Sequence, residues 1–180
     1  MKVLLDACVL YPTVMRELLL EVAARGCFAP LWTDRLLEEW ARAARRRGPA
    51  EEVRARGEIA RLRAAWPDAL LPAPPRALEA RLWLPDAADV HVLAAAIAGS
   101  ADVILTVNAQ DFPRNVLAEE GLSRADPDAF LLGLWKGSPA VVEDAAETVR
   151  ARAEAIAAEP WAMRRLLKKA RLPRLAKALG

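Results

Sequence analysis

The sequence predicts an α/β fold, a short parallel sheet in a three-layer α/β/α arrangement with a helical extension at its C-terminal end. Three observations predict it. Lys2–Leu5 and Val103–Thr106 are apolar runs too short for helices and bounded by polar residues, so they read as buried strands. Longer segments with apolar residues at helical spacing lie between them, the alternation of an α/β domain. The chain has 180 residues and is 54% hydrophobic, which supplies a real core and excludes a disordered chain. The expected division is a sheet-bearing domain over residues 1–136 and helices over 137–180.

Each element follows from local chemistry. Lys2–Leu5 is a strand stopped by Asp6. In Val14–Arg25, Val14, Leu18 and Val22 repeat at helical spacing, and Gly26 ends the helix. Phe28–Trp32 is too short to assign. Thr33 or Asp34 caps a helix that runs to about Arg47, where Gly48-Pro49 breaks it. Glu51–Ala65 is a charged helix ended by Pro67, and Leu70 to Pro75 is a stiff connector with room for a strand before it. Pro85-Asp86 starts a helix through Ala98, with Gly99 at its end. Phe112–Glu120 and Pro127–Trp135 read as helices, with a short strand near Leu122–Ala125 between them. From Pro139 the pattern is helical, interrupted at Pro160 and Pro173.

Composition removes many functions. No apolar run reaches the roughly 20 residues of a membrane span, and Asp6 interrupts the first run too early for a signal peptide. Two cysteines and one histidine build neither a disulfide scaffold nor a zinc finger. A reducing cytosol is the expected compartment. Neither G-x-x-x-x-G-K-[ST] nor G-x-G-x-x-G occurs. Chemistry therefore falls to carboxylates, amides and hydroxyls, and carboxylate clusters suit hard divalent ions.

Charge is uneven beneath a formal net of +2. Residues 151–180 carry eight basic side chains and two acids, a net of +6, against −4 for the other 150 residues. After Pro160 come seven basic residues and no acid, among them Arg164, Arg165, Lys168 and Lys169. An acidic body with a basic tail matches a phosphodiester-binding protein with an acidic metal site, and also a solvated basic helix face.

Four acidic positions carry the chemistry. Asp6 ends a buried strand, where a carboxylate either serves a ligand edge or turns the chain. Thr106, Asn108 and Asp111 leave the end of the Val103 strand, so in one parallel sheet Asp6 and Asp111 share an edge. Asp89 falls within the apolar stripe of Val92, Leu93, Ala96 and Ile97 and points into a site, while Asp86 is the better N-cap. His91 lies off that stripe and reads as a surface or substrate-side residue. Glu38 and Glu39 flank the stripe of Leu36, Leu37, Trp40, Ala41 and Ala44 at similar angles, and periodicity does not choose between them.

At these positions the sequence resembles a PIN domain, most of all the VapC-like toxins of bacterial toxin–antitoxin pairs. The resemblance rests on the strand-end Asp6, a Glu on the helix after Trp32-Thr33, and DVHVLAAAI (Asp89 to Ile97) followed shortly by TVNAQDF (Thr106 to Phe112). It runs from Val3 to about Leu134. Ala7 and Cys8 stand where the family commonly has Thr and then Asn or Ser.

The resemblance implies Asp6, Glu39, Asp89 and Asp111 as a catalytic quartet, with Asp6, Asp89 and Asp111 as metal ligands and Asn108, Thr106 and Asp86 in support. Glu39 is preferred because the family's Glu precedes a large apolar residue, here Trp40. The implied activity is Mg²⁺- or Mn²⁺-dependent hydrolysis of RNA by a homodimer that a small antitoxin protein inhibits. A PIN-like module that binds RNA or protein without cutting is the alternative, against which the intact acidic set argues. Receiver and haloacid-dehalogenase-like folds fit poorly, since Cys8 stands where the latter wants a second Asp and Thr106–Asp111 offers no lysine. Cys8 and Cys27 read as small buried residues and the six tryptophans as core or interface more than base-stacking surfaces.

Overall fold

The computed structural model describes residues 1–180. Close contacts divide the chain into two compact units, Met1–Tyr11 with Ala29–Arg124, and Pro12–Phe28 with Ala125–Gly180.

The first unit is built on the sheet. β1 (Lys2–Leu5), β2 (Ala29–Thr33), β3 (Leu70–Leu71), β4 (Val103–Leu105) and β5 (Ser123–Ala125) lie in the order β3-β2-β1-β4-β5. The pairs β1–β2, β1–β4 and β2–β3 are parallel. Consecutive strand residues face opposite sides, yet Val3, Leu4 and Leu5 are all fully buried. Both faces of β1 are therefore covered, as a parallel sheet requires. The sequence predicted this α/β class. It left β2 unassigned, because Ala29 and Pro30 dilute a five-residue run.

Helices α3 (Asp34–Arg45), α4 (Pro49–Ala65) and α6 (Val90–Ala98) flank the strands. Thr33 caps α3, its Oγ1 accepting from the Leu36 amide at 3.3 Å. Pro49 starts α4, where its missing N–H costs nothing. The helix expected from Pro85-Asp86 instead opens with a 3-10 turn, Ala87–Asp89, before α6 begins. Gly99 closes α6 against Leu71, whose Cδ1 lies 2.6 Å from where a Cβ would stand. Three short helices complete the unit, α1 (Ala7–Leu10), α5 (Arg76–Arg81) and α7 (Arg114–Glu119). Phe112 was expected to be helical, but it precedes Pro113, which disfavours the helical backbone, and α7 starts one residue after that proline.

The second unit is helical throughout. It holds α2 (Thr13–Ala24), α8 (Pro127–Gly137), α9 (Pro139–Ala157), α10 (Met163–Lys169) and α11 (Pro173–Leu179). Leu18, Leu19 and Val22 of α2 and Val142, Ala145, Ala146 and Val149 of α9 are buried where these two helices pack. Gly26 ends α2 with φ +83°, letting the Cys27 amide reach back to the Val22 carbonyl. Arg25 binds Asp144 across the α2–α9 pair at 2.6 Å. Asp126 caps α8, and Asp128 sends its carboxylate to the first amides of α11. No helix is long and apolar enough to cross a membrane.

Candidate active site

The strand order reverses at β1. From β1 the chain builds outward through β2 to β3, then returns to place β4 on the other side. The crevice beyond the carboxyl ends of two such strands is where open α/β sheets hold ligands. Leu5 pairs with Leu105, so Asp6 and Thr106 leave the sheet side by side.

Asp6 is buried, at 8% exposure. Its Oδ2 accepts from Thr106 Oγ1 at 2.7 Å and from Cys8 Sγ at 3.0 Å. Its backbone N–H donates to the Leu105 carbonyl, fixing the residue to β4. Burial, and then the Asp6 charge, push the Cys8 thiol up to about 12, so it stays protonated as a donor. The sulfur also accepts from the Val107 amide at 3.4 Å. The sequence reading gave Cys8 only a packing role. The one hint was its position two residues after Asp6, where the resembling family has a polar side chain.

The turn after β4 presents Asn108 and Asp111. Thr106 Oγ1 accepts from the Asn108 amide at 3.0 Å, and Asn108 Nδ2 donates to Asp111 Oδ2. Phe112 is fully buried and anchors the turn, with its carbonyl accepting from Arg124 Nε at 2.7 Å.

The 3-10 turn before α6 presents Asp86 and Asp89. Asp86 caps that turn as expected, accepting from the Ala88 amide at 2.8 Å. Asp89 holds the N-cap position of α6 but makes no capping hydrogen bond, so its carboxylate is left for the crevice. One carboxylate oxygen from each of Asp86, Asp89 and Asp111 lies within 4.8 Å of the others. Burial pushes the Asp89 carboxyl up to about 6; the charges of Asp6, Asp86 and Asp111 add to this and His91 opposes it. Three hard oxygen donors that repel one another could hold a divalent cation.

Asp6 is outside that trio but acts on Asp89 through its charge. The two glutamates separate. Glu38 is held by the Arg56 guanidinium at 2.9 and 3.2 Å and by Arg42. Arg56 holds its carboxyl below the usual range. Glu39 instead meets α6, its Oε1 lying 2.9 Å from His91 Nε2, and Arg35 stands 3.5 Å away. The two atoms are close but not aligned as a hydrogen bond.

His91 corrects the expectation of a surface position, for it is only 3% exposed. The reason is α6 itself: His91 through Ala96 are all buried, so the helix has no solvent face for an off-stripe residue to occupy. The basic residues Arg164, Arg165, Lys168 and Lys169 are exposed on α10, and Arg165 and Lys169 flank the Trp161 ring at 4.9 and 4.8 Å.

Comparison with curated proteins and with solved structures gave no match. Comparison with family models matched the PIN domain over residues 2–110. PIN domains are generally nucleases that use divalent metal ions. The matched stretch is well over half the chain, and runs from β1 to the residue before Asp111. β1 and β4, the two strands where the sheet order reverses, fall inside it, and the chain belongs to the PIN domain family.

Proposed function

We propose that the protein is a divalent-metal-dependent endoribonuclease, the toxin of a type II toxin–antitoxin pair. The observation that carries the nuclease reading is the carboxylate trio of Asp86, Asp89 and Asp111, with Asp89 raised to about 6, in a PIN domain. The toxin reading rests on the resemblance of DVHVLAAAI and TVNAQDF to VapC-like proteins. With it come a homodimer, a cytosolic setting and an inhibiting antitoxin.

Asp89 and Asp111 would hold Mg²⁺ or Mn²⁺, joined by Asp86 and by Asp6, whose Oδ2 takes the Thr106 and Cys8 donors. The bound ion supplies positive charge that favours ionised carboxylates, lowers the pKa of water and draws charge from the phosphoryl oxygens. Thr106, Cys8 and Asn108 keep the carboxylates in place as substrate arrives. Glu39 takes the proton of the attacking water, since His91 occupies only its Oε1. Water oxygen bonds to phosphorus, the bond from phosphorus to the 3′ oxygen breaks, and the departing 3′ oxygen takes a proton from solvent, so the products are a 5′-phosphate and a 3′-hydroxyl. Arg164, Arg165, Lys168 and Lys169 contact the RNA backbone, a contact that weakens as salt rises.

The test is cleavage of structured and single-stranded RNAs with Mn²⁺, Mg²⁺ or EDTA, beside Asp6→Asn. Cleavage that needs both metal and Asp6 is expected. RNA binding without cleavage under any metal, equal in wild type and Asp6→Asn, would replace the nuclease by a binding module.

A further inference from the structure

A cavity of about 410 Å³ lies at the same carboxyl edge of the sheet, where β2 and β3 end. Thr33, Leu71, Pro72, Pro74, Glu79 and His91 line it. A pocket of this size is in the range that holds small organic groups. Its walls are chiefly aliphatic and proline. Its charges balance: Asp34 is tied to Arg63 at 2.5 Å, and Arg35 and Glu79 add one charge of each sign. A neutral flat ring suits such a lining better than a phosphate does.

Two observations connect the cavity to the carboxylates. His91 belongs to the lining, and its buried Nε2 lies 2.9 Å from Glu39 Oε1. Arg35 also belongs to the lining, while its Nη2 donates to the Ala88 carbonyl at 3.5 Å and its Nε lies 3.5 Å from Glu39. The guanidinium thus stands between the cavity and the turn that carries Asp89. Adjacent strands are about 5 Å apart, so the end of β3 is roughly 10 Å from that of β1. A nucleotide beside a phosphate at the carboxylates spans that gap.

We infer that this cavity takes one unpaired nucleobase of the RNA substrate, next to the scissile phosphate. The inference rests on the ribonuclease reading above. Sequence-specific RNA recognition works on such splayed bases, held by flat apolar contacts and edge hydrogen bonds. The cavity sets which sequence is cut, and the carboxylates set that it is cut.

The test is a binding cycle with Ca²⁺ replacing Mg²⁺ to hold off turnover. Fluorescent RNA octamers carry each of the four bases, or an abasic sugar, at successive positions. Wild type should lose about tenfold in affinity when one position becomes abasic, and should rank the four bases there. Ala73→Trp, which fills the cavity from an exposed lining residue, should abolish that difference, whereas Ala73→Ser should keep it. Thermal unfolding of both variants checks that they fold. Equal affinity of wild type for every octamer, or a base preference that survives in folded Ala73→Trp, overturns the inference. If Ala73→Trp does not fold, free nucleosides decide: failure of all four to compete with the preferred octamer also overturns it. The readout is independent of cleavage. An inert protein with a base preference leaves the cavity assignment standing, and a nuclease without one removes it.

Discussion

Asp6 and Asp128 are buried to nearly the same degree, 8% and 5% exposed, and the fold treats them in opposite ways. Asp128 accepts from the backbone amides of Arg174 and Leu175 at 2.8 and 2.9 Å, the free N–H groups at the start of α11. Each of its oxygens has a donor that cannot move, and the helix end adds partial positive charge. Asp6 has a hydroxyl and a thiol on one oxygen, and other carboxylates act on the same crevice. The first carboxylate is a finished structural joint. The second belongs to a group that the protein leaves short of positive charge. A buried acid alone therefore does not mark a site; the kind of donor it meets does.

The comparison can be broken most directly at the two glutamates. Glu39→Gln is expected to lower RNA cleavage by about a hundredfold or more, as loss of a group acting on the transition state does. Glu38→Gln, which only loosens the pairing with Arg56 and Arg42, should cleave at the wild-type level. Equal losses would show that the glutamate facing His91 has no special part. At the structural joint the cost moves from rate to stability. Asp128→Ala strands one buried and one part-buried amide and should lower unfolding free energy by about 2 kcal/mol in urea, with cleavage per folded molecule unchanged. A drop in turnover with no loss of stability would reverse the assignment.

The smallest effect is in pH. Asp89 stands at about 6 against an ordinary 3.8. Between those values the folded protein keeps a proton that the unfolded chain has released. The folded state binds more protons there, so this group's contribution to stability falls as pH rises from about 4 to about 6 and stays low above. The size is on the order of 1 kcal/mol once solvent screening is allowed for. In EDTA, Asp89→Asn should gain on wild type by that amount between pH 4 and pH 7. Adding Mn²⁺ should restore the wild type and not the variant. No difference in slope between them would mean that Asp89 is not crowded by its neighbours.

Much of the fold was legible because β1 and β4 are compact apolar runs and the helices carry their own stops, such as Gly26 and Gly99. What escaped was short or tertiary. β2 hides behind Pro30, β3 has two residues, and α1 and α5 have four and six, too few for a period to register. Asp6, Asp89 and Asp111 were legible because a strand end and a helix stripe are poor places for charge. Their common crevice came from chain order, since β1 and β4 neighbour each other only after the crossover. Glu38 and Glu39 sit symmetrically on their own helix, and only the partners on other elements tell them apart. The surface position offered for His91 failed for the same reason: a stripe describes one helix, and His91 through Ala96 of α6 are all buried.

The central position of β1 has a consequence in time. Asp6 is made first, yet its lateral neighbour β4 comes about a hundred residues later, and Asp111 later still. A growing chain on the ribosome therefore cannot assemble the crevice until residue 111 has emerged. Truncated products that stop short of that point lack one wall of it. Synthesis order thus delays the carboxylate cluster until Asp111 has been added.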